Sequence, residues 1–218
     1  MSILSDNQRR VLDTLSIERA VCEHFYLTGG TALAEFYLEH RFSEDLDFFS
    51  EREFDPQSVS VTLKKLQRNI GIQNVRYEQS FNRNLFFLEF HGDAVKTEFT
   101  YFPFSRIEQK KKIKDLFVDS LLDIAVNKVF TIYQKPRSRD FIDLYFILQK
   151  EKAWTLADLV QKAQVKFDHY LDPLQFGAQL VRAEELKDYP RMIAKIDDRE
   201  WQSFFMDGAK KLLPQVLE

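Results

Sequence analysis

A short apolar stretch that ends at two glycines constrains the fold of this chain more than any other feature. Residues 25–27 predict a strand, Gly29 and Gly30 interrupt it, and a helix is predicted to begin at Thr31. Because the first N–H groups of a helix point toward its N-terminal end, such a turn can bind an anion. A Gly-Gly-Thr turn can also simply begin a helix, and it matches neither the P-loop nor the Rossmann glycine pattern.

Two aspartates follow this predicted helix in a segment rich in leucine and phenylalanine. Asp45 and Asp47 are two residues apart, so on a strand their side chains point to the same face. An isolated Asp-x-Asp pair is more often a solvated surface pair. Here Leu46 and Phe48 predict a half-buried strand, on which two converging carboxylates require a cation or hydrogen-bond donors. The sequence therefore predicts a magnesium site beside a phosphate-binding turn.

A third carboxylate is expected from a neighbouring strand if the site holds two metal ions. Glu98 is the best candidate, because alternation along residues 95–101 places it on the polar face of a predicted strand together with Lys96 and Thr100. An ordinary polar strand face explains Glu98 almost equally well, and Glu89 and Asp93 are weaker alternatives.

The composition of the chain restricts its class. Its 218 residues, 44% of them hydrophobic, are enough for one large domain or two small ones. The net charge of −3 means that the chain has no general positive field to attract nucleic acid. The single Cys22 excludes an internal disulfide framework. No apolar stretch is long enough to cross a membrane and the N-terminus does not resemble a signal peptide, so we expect a cytoplasmic protein.

Secondary-structure patterns change along the chain. Strand patterns, with hairpin connections at residues 82–84 and 91–93, are concentrated in the first half, and helical periodicity dominates from Ser120 onward. We therefore expect an α+β fold with a mixed or antiparallel sheet flanked by helices at residues 1–116, followed by a helical region at residues 117–218 that completes the site. The basic segment at residues 106–114 is most simply a solvated connection, with RNA phosphates as the alternative contact.

The order of these motifs resembles one protein superfamily. Gly29–Thr31 followed by Arg41–Phe48 is similar to the signature of polymerase β-type nucleotidyltransferases. The stretch His40–Glu44 before the aspartates is most similar to the AbiEii/AbiGii family, the nucleotidyltransferase-like toxins of abortive-infection and toxin–antitoxin systems. A second match, in Asp123–Lys128 and Arg137–Tyr145, resembles the lysine motif and the Lys/Arg-Asp-x-x-Asp motif of that family.

The resemblance implies a nucleotidyltransferase-like core and a magnesium-dependent enzyme. It would move a nucleoside monophosphate from a nucleoside triphosphate to an RNA, such as a tRNA, or to a protein, and a cognate antitoxin is implied as a partner. The implied metal ligands are Asp45, Asp47 and Glu98, and Lys128 joins them as a catalytic residue. The implied nucleotide-binding residues are Gly29, Gly30, Thr31, Arg41, Ser43, Lys128, Asp140 and Asp143.

The residues by themselves leave other interpretations open. Lys128 lies within a predicted helix, where a lysine often extends along apolar neighbours to water. Asp140 and Asp143 lie near a helix start, where they can cap the helix or pair with a nearby arginine. The alternative function is a catalytically silent nucleotidyltransferase-fold module that binds a nucleotide or a partner protein.

Overall fold

The computed structural model describes residues 2–108 and 111–216. The chain divides into two compact units, Met1–Ser120 and Leu121–Glu218. The division lies a few residues after the predicted border at residue 116, because the strand Leu116–Val118 pairs with a strand of the first unit.

A mixed sheet forms the centre of the first unit and has seven strands within the described residues. They are β1 (Tyr26–Thr28), β2 (Asp45–Ser50), β3 (Asn74–Ser80), β4 (Arg83–Phe90), β5 (Asp93–Tyr101), β6 (Lys111–Ile113) and β7 (Leu116–Val118), in the order β3-β4-β5-β2-β1-β7-β6. Strand β2 is antiparallel to β1 and parallel to β5, and β1 is parallel to β7. The predicted α+β class is confirmed, and of the two predicted sheet types, mixed or antiparallel, the sheet is mixed.

Most helices of the first unit begin and end where the sequence signals place them, but the helix after β1 begins at Gly29 and not at the predicted Thr31. They are α1 (Asp6–Leu15), α2 (Arg19–Cys22), α3 (Gly29–Leu33), which continues as a π-helical segment at Ala34–Leu38, and α4 (Pro56–Ile70). The carboxylate of Asp55 accepts a hydrogen bond from the backbone N–H of Gln57 at 2.9 Å, with proline at the first position of α4. Helix α4 ends at Gly71, whose φ is +78°.

Alternation along β2 separates a core face from a polar face. Leu46 and Phe48 are fully buried, and the ring of Phe48 stacks on that of Phe99 with centroids 4.9 Å apart. Asp45 and Asp47 lie on the opposite face and are partly exposed. The core thus fixes which face of the sheet carries the carboxylates.

Some details of the sheet differ from the sequence-based expectation, including Asp93, which was predicted to lie in a connection and is the first residue of β5. Residues 83 and 84, predicted to connect a hairpin, belong to β4 and pair with Ser80 and Gln79, so the loop is Phe81-Asn82. Phe81, the first residue of this two-residue turn, has a φ of +55°. Strands β6 and β7 were not predicted, because three residues show no alternating pattern and no glycine pair follows these strands as it follows β1.

The second unit is helical in its described residues. Its helices are α5 (Leu121–Gln134), α6 (Ser138–Lys150), α7 (Leu156–Phe167), α8 (Pro173–Val181), a 3₁₀ turn at Arg182–Glu184, and α9 (Asp198–Val216). Phe141, Trp201 and Phe205 are fully buried and pack together in its core. An open cavity of about 740 Å³ with a mostly apolar lining lies beside α7, α8 and α9, and no predicted site residue lines it.

Candidate active site

The predicted glycine turn lies directly against the predicted acidic pair. Thr28, the last residue of β1, pairs with Asp47 on β2, so the turn that follows passes over this carboxylate. Gly29 has a φ of +73°, and a Cβ atom at this position would lie 2.1 Å from Oδ2 of Asp47. Glycine is therefore required both by the backbone conformation and by the closeness of Asp47.

Two further predicted residues surround the next glycine. A Cβ atom at Gly30 would lie 2.4 Å from Nη2 of Arg41 and 3.1 Å from Oγ of Ser43. Arg41 is buried, and its Nη1 donates to the carbonyl oxygen of Phe42 at 2.9 Å. The structure thus brings Gly30, Arg41 and Ser43 together beside the start of α3.

Thr31 connects the turn to the acidic strand. Its side chain is fully buried, and its hydroxyl donates a short hydrogen bond to the backbone carbonyl of Asp45. Thr28 does not cap α3 with its side chain, because its hydroxyl donates to Oδ2 of the buried Asp119 at 2.5 Å. In this arrangement the two threonine hydroxyls hold the loop and the strand in place.

A lysine balances the first aspartate. Lys96 pairs with Asp45 in the register of β5 and β2, and its Nζ donates to Oδ2 of Asp45 at 2.9 Å. Both side chains are about a quarter exposed, at 28% and 26%, so solvent screens this ion pair. A ligand can therefore compete for either partner.

Glu98, the predicted third metal ligand, lies beside Asp47 in the same register and is 5% exposed. Its carboxylate is held by protein donors: Nε of Arg83 donates to Oε1 at 2.7 Å, Nη2 of Arg83 donates to Oε2, and the hydroxyl of Thr100 donates to Oε1 at 2.8 Å. A guanidinium that grips both oxygens of a carboxylate is among the stronger ion pairs in proteins.

Arg83 interacts electrostatically with Glu98, Asp47 and Asp45. The hydrogen bond to Glu98 raises the pKa of Arg83, partial burial opposes this shift, and the negative charges of Glu98, Asp47 and Asp45 raise it further. All three predicted metal ligands thus stabilise the charged form of Arg83.

The remaining predicted residues gather in the second unit. Nζ of Lys128, on α5, lies 2.7 Å from Oδ1 of Asp140 and 2.7 Å from Oδ2 of Asp143, both on α6. Asp140 also caps α6, because its Oδ2 accepts from the backbone N–H of Arg137 at 3.1 Å. All three charged side chains are at most 10% exposed.

A second buried ion pair lies nearby in sequence. Nζ of Lys166, on α7, donates to Oδ1 of Asp123 at 2.8 Å, and both side chains are almost fully buried. Asp123 begins the lysine motif that ends at Lys128. Part of this motif therefore links α5 to α7.

Asp45 and Asp47 fit a magnesium ion by chemistry and exposure. Their hard oxygen donors lie on one partly exposed face, and Mg²⁺ in nucleotide-using enzymes commonly takes one or two carboxylates together with substrate phosphates and water. In the part of the chain that the structure describes, no group of three or more His, Cys, Asp or Glu side chains is placed to hold one metal ion.

Some residues of the site were not identified from the sequence. Lys96 shares the predicted polar face of β5, so alternation contained the signal for it. Arg83 was assigned to a hairpin connection, and only the true register of β4 places it beside Glu98. Asp119 follows a strand that was too short to recognise.

Other proteins share this architecture. A crystal structure described as JHP933 from Helicobacter pylori superposes with a TM-score of 0.61 at 18% identity, covering 97% of this chain and 94% of the other. The crystal structure of a putative nucleotidyltransferase from H. pylori gives a TM-score of 0.62 at 18% identity and covers 99% of both chains. At this identity, the likeness shows the fold.

Sequence comparison extends this to family membership. An uncharacterized protein of Aquifex aeolicus (strain VF5), aq_aa25, is 35% identical over 171 residues, which is 77% of each chain. No helix within the described residues is long and apolar enough to cross a membrane. The family model "Nucleotidyl transferase AbiEii toxin, Type IV TA system" matches residues 10–215. Because this match spans nearly the whole chain, the protein belongs to the AbiEii nucleotidyltransferase toxin family.

Proposed function

We propose that the chain is a magnesium-dependent nucleotidyltransferase that moves a nucleoside monophosphate from a nucleoside triphosphate to an acceptor. The observation that carries this proposal is the contact between the Gly29 turn and the carboxylate of Asp47, on the polar face that Asp45 shares. It joins a helix start, suited to phosphate, with a carboxylate pair, suited to Mg²⁺.

Each residue of the first unit has a stated part in this function. Asp45 and Asp47 would hold the magnesium ion, which when bound neutralises charge on the phosphates and so favours attack and departure of pyrophosphate. Gly29, Gly30 and Thr31 would orient the triphosphate through backbone N–H groups at the start of α3. Arg41 and Ser43 would support this turn from beneath, as their closeness to Gly30 indicates.

Lys96 would provide an exchangeable positive charge. Its ion pair with Asp45 is partly exposed. If a metal ion bound the carboxylate of Asp45, the ammonium group of Lys96 would be available to bind a phosphate oxygen. Lys128 remains a predicted phosphate contact, with Asp140 and Asp143 fixing the position of its ammonium group.

The acceptor is proposed to be an RNA, with tRNA as the first to test, or a protein side chain. Family membership supports a toxin whose transfer reaction stops growth and which is paired with a cognate antitoxin. A protein that binds nucleotide without transferring it is the competing function, supported by the engagement of Glu98 with Arg83.

The test is incubation of the purified chain with each α-labelled nucleoside triphosphate, Mg²⁺, total RNA and cell protein. Label should enter a macromolecule with the natural chain and not with Asp45→Asn/Asp47→Asn. Asp207→Asn, an exposed aspartate of the second unit, is the matched control and should keep full transfer. Nucleotide binding without transfer would favour the competing function, and equal transfer by the double variant would refute the assigned site.

A further inference from the structure

Both oxygens of the Glu98 carboxylate are already occupied by donors of the chain. Arg83 reaches Oε1 at 2.7 Å and also donates to Oε2, and Thr100 adds a second donor to Oε1 at 2.8 Å. Glu98 is 5% exposed, so water gives this carboxylate little further solvation. A metal ion that bound Glu98 would have to share this carboxylate with the guanidinium of Arg83 or displace it from a two-point contact.

Arg83 itself lies on the polar face of the sheet. It pairs with Thr100 of β5 in the ladder, which puts its side chain on the same face as Glu98, and Glu98 pairs with Asp47 of β2. The side chain of Arg83 is 44% exposed. Its Nη1 donates no hydrogen bond to any residue that the structure describes, so this nitrogen keeps its donors for a ligand.

The two aspartates and the glutamate therefore face different cations. Asp45 is paired with Lys96, whose amine has no fixed geometry and is readily exchanged. Glu98 is paired with a planar, permanently charged guanidinium that matches its two oxygens. The first pair is the easier one to open for a divalent ion, because the second is held by two hydrogen bonds and its carboxylate is buried.

Enzymes that transfer phosphoryl groups with two metal ions place the second ion beside a further carboxylate, where it stabilises one of the two oxygens in line with phosphorus. Here the guanidinium of Arg83 stands at that carboxylate. Mg²⁺ sites in nucleotide-using enzymes need only one or two protein carboxylates, which Asp45 and Asp47 supply.

We propose that Arg83 takes the place of a second divalent ion, so that the site holds a single divalent ion at Asp45 and Asp47. Glu98 is then the residue that positions Arg83 and is not a metal ligand. This inference rests on the proposed function, because it assumes the metal site at the aspartate pair. It deepens that function by assigning one of the two cations of the reaction to the protein.

The test counts Mn²⁺ bound to the full chain, measured from the electron paramagnetic resonance signal of free Mn²⁺ during titration. Ions bound by Asp45→Asn/Asp47→Asn are subtracted as surface binding. The natural chain should bind one Mn²⁺, and Glu98→Gln should also bind one. Arg83→Gln should bind two, because Glu98 then lacks its partner, and the double variant Arg83→Gln/Glu98→Gln should return to one.

Each other outcome has a definite meaning. Two Mn²⁺ ions on the natural chain, falling to one in Glu98→Gln, would overturn the inference while leaving the proposed function intact. A single ion on Arg83→Gln would also overturn it. No specific Mn²⁺ on the natural chain would instead refute the metal site of the proposed function. If Arg83→Gln does not fold, the natural chain and Glu98→Gln still decide the question.

Discussion

Each unit of the protein contains a lysine held by aspartate, and the two arrangements differ in burial. Lys96 and Asp45 are about a quarter exposed, whereas Lys128 is 10% exposed and its partners Asp140 and Asp143 are 6% and 0% exposed. A screened pair contributes little stability and is open to exchange. A buried pair is costly to break, because the remaining charge loses its counter-ion at a place where little water can replace it. The same residue types therefore form a solvent-screened ion pair in one unit and a buried cluster in the other.

The largest expected effect comes from breaking the buried cluster. Lys128→Ala should lower the free energy of unfolding by about 3–5 kcal/mol, because two buried carboxylates lose their cation. Urea unfolding followed by circular dichroism measures this. Lys210→Ala, which removes an exposed ion pair with Asp207, is the control and should leave stability nearly unchanged. If Lys128→Ala were as stable as Lys210→Ala, burial would not make the Lys128 cluster more important for stability than an exposed ion pair.

Removing one carboxylate of the Asp45/Asp47 pair should lower catalytic activity and leave folding nearly unchanged. Asp47→Asn should slow nucleotidyl transfer at least about 100-fold, which corresponds to about 3 kcal/mol in the barrier. Its unfolding free energy should change by less than about 1 kcal/mol, because Asp47 is partly exposed. Transfer of labelled nucleotide and urea unfolding on the same preparation test both halves. A large loss of stability would show that Asp47 is structural.

Alanine variants of two glycines distinguish the effect of backbone strain from the effect of a clash with Asp47. Gly29 and Gly92 both have positive φ, at +73° and +78°, but a Cβ atom at Gly92 would meet nothing within 4 Å. Alanine should cost about 1–2 kcal/mol of stability at Gly92 from the left-handed conformation alone. Gly29→Ala should cost more and also lower transfer, because Asp47 must move. Equal activity of the two variants would remove Gly29 from the site.

The smallest effect expected is a pH dependence in the second unit. Burial alone would raise the pKa of Asp188, but hydrogen bonds from the backbone and hydroxyl of Ser138 and the charge of Arg137 lower it below its ordinary value of 3.8. A lowered folded pKa stabilises the protein above about pH 4, and this contribution disappears as the pH falls through the folded pKa. The stability difference between the natural chain and Asp188→Asn should therefore shrink on acidification, as unfolding at pH 6 and pH 3 would show.

The sequence was sufficient for the parts of the site that depend on local pattern. Alternation around Asp45 and Asp47 predicted a strand with one polar face, and the glycines predicted a helix start, which the structure places at Gly29. It also predicted a sheet in the first half, without deciding between a mixed and an antiparallel one, and a helical second half. These features follow from repeats of two and of about 3.6 residues, which a single segment displays.

Features that depend on strand register were beyond the sequence. The grip of Arg83 on Glu98 requires knowing that residue 83 pairs with Thr100, and a shift of one position in the hairpin would point Arg83 to the other face. The second partner of Lys128 and the pairing of Asp123 with Lys166 likewise depend on how helices lie within the second unit. Long-range geometry of this kind leaves no periodic trace.

The position of β2 between an antiparallel and a parallel neighbour has a consequence for how this protein can change over time. Because its side chains alternate strictly, inserting or deleting one residue within Asp45–Ser50 would turn the carboxylates into the core and Leu46 and Phe48 toward water. Such a change would abolish folding and the acidic pair in one step. Length variation among relatives should therefore accumulate in loops such as Phe81-Asn82, while β2 keeps its length, as an engineered series of single-residue insertions would reveal.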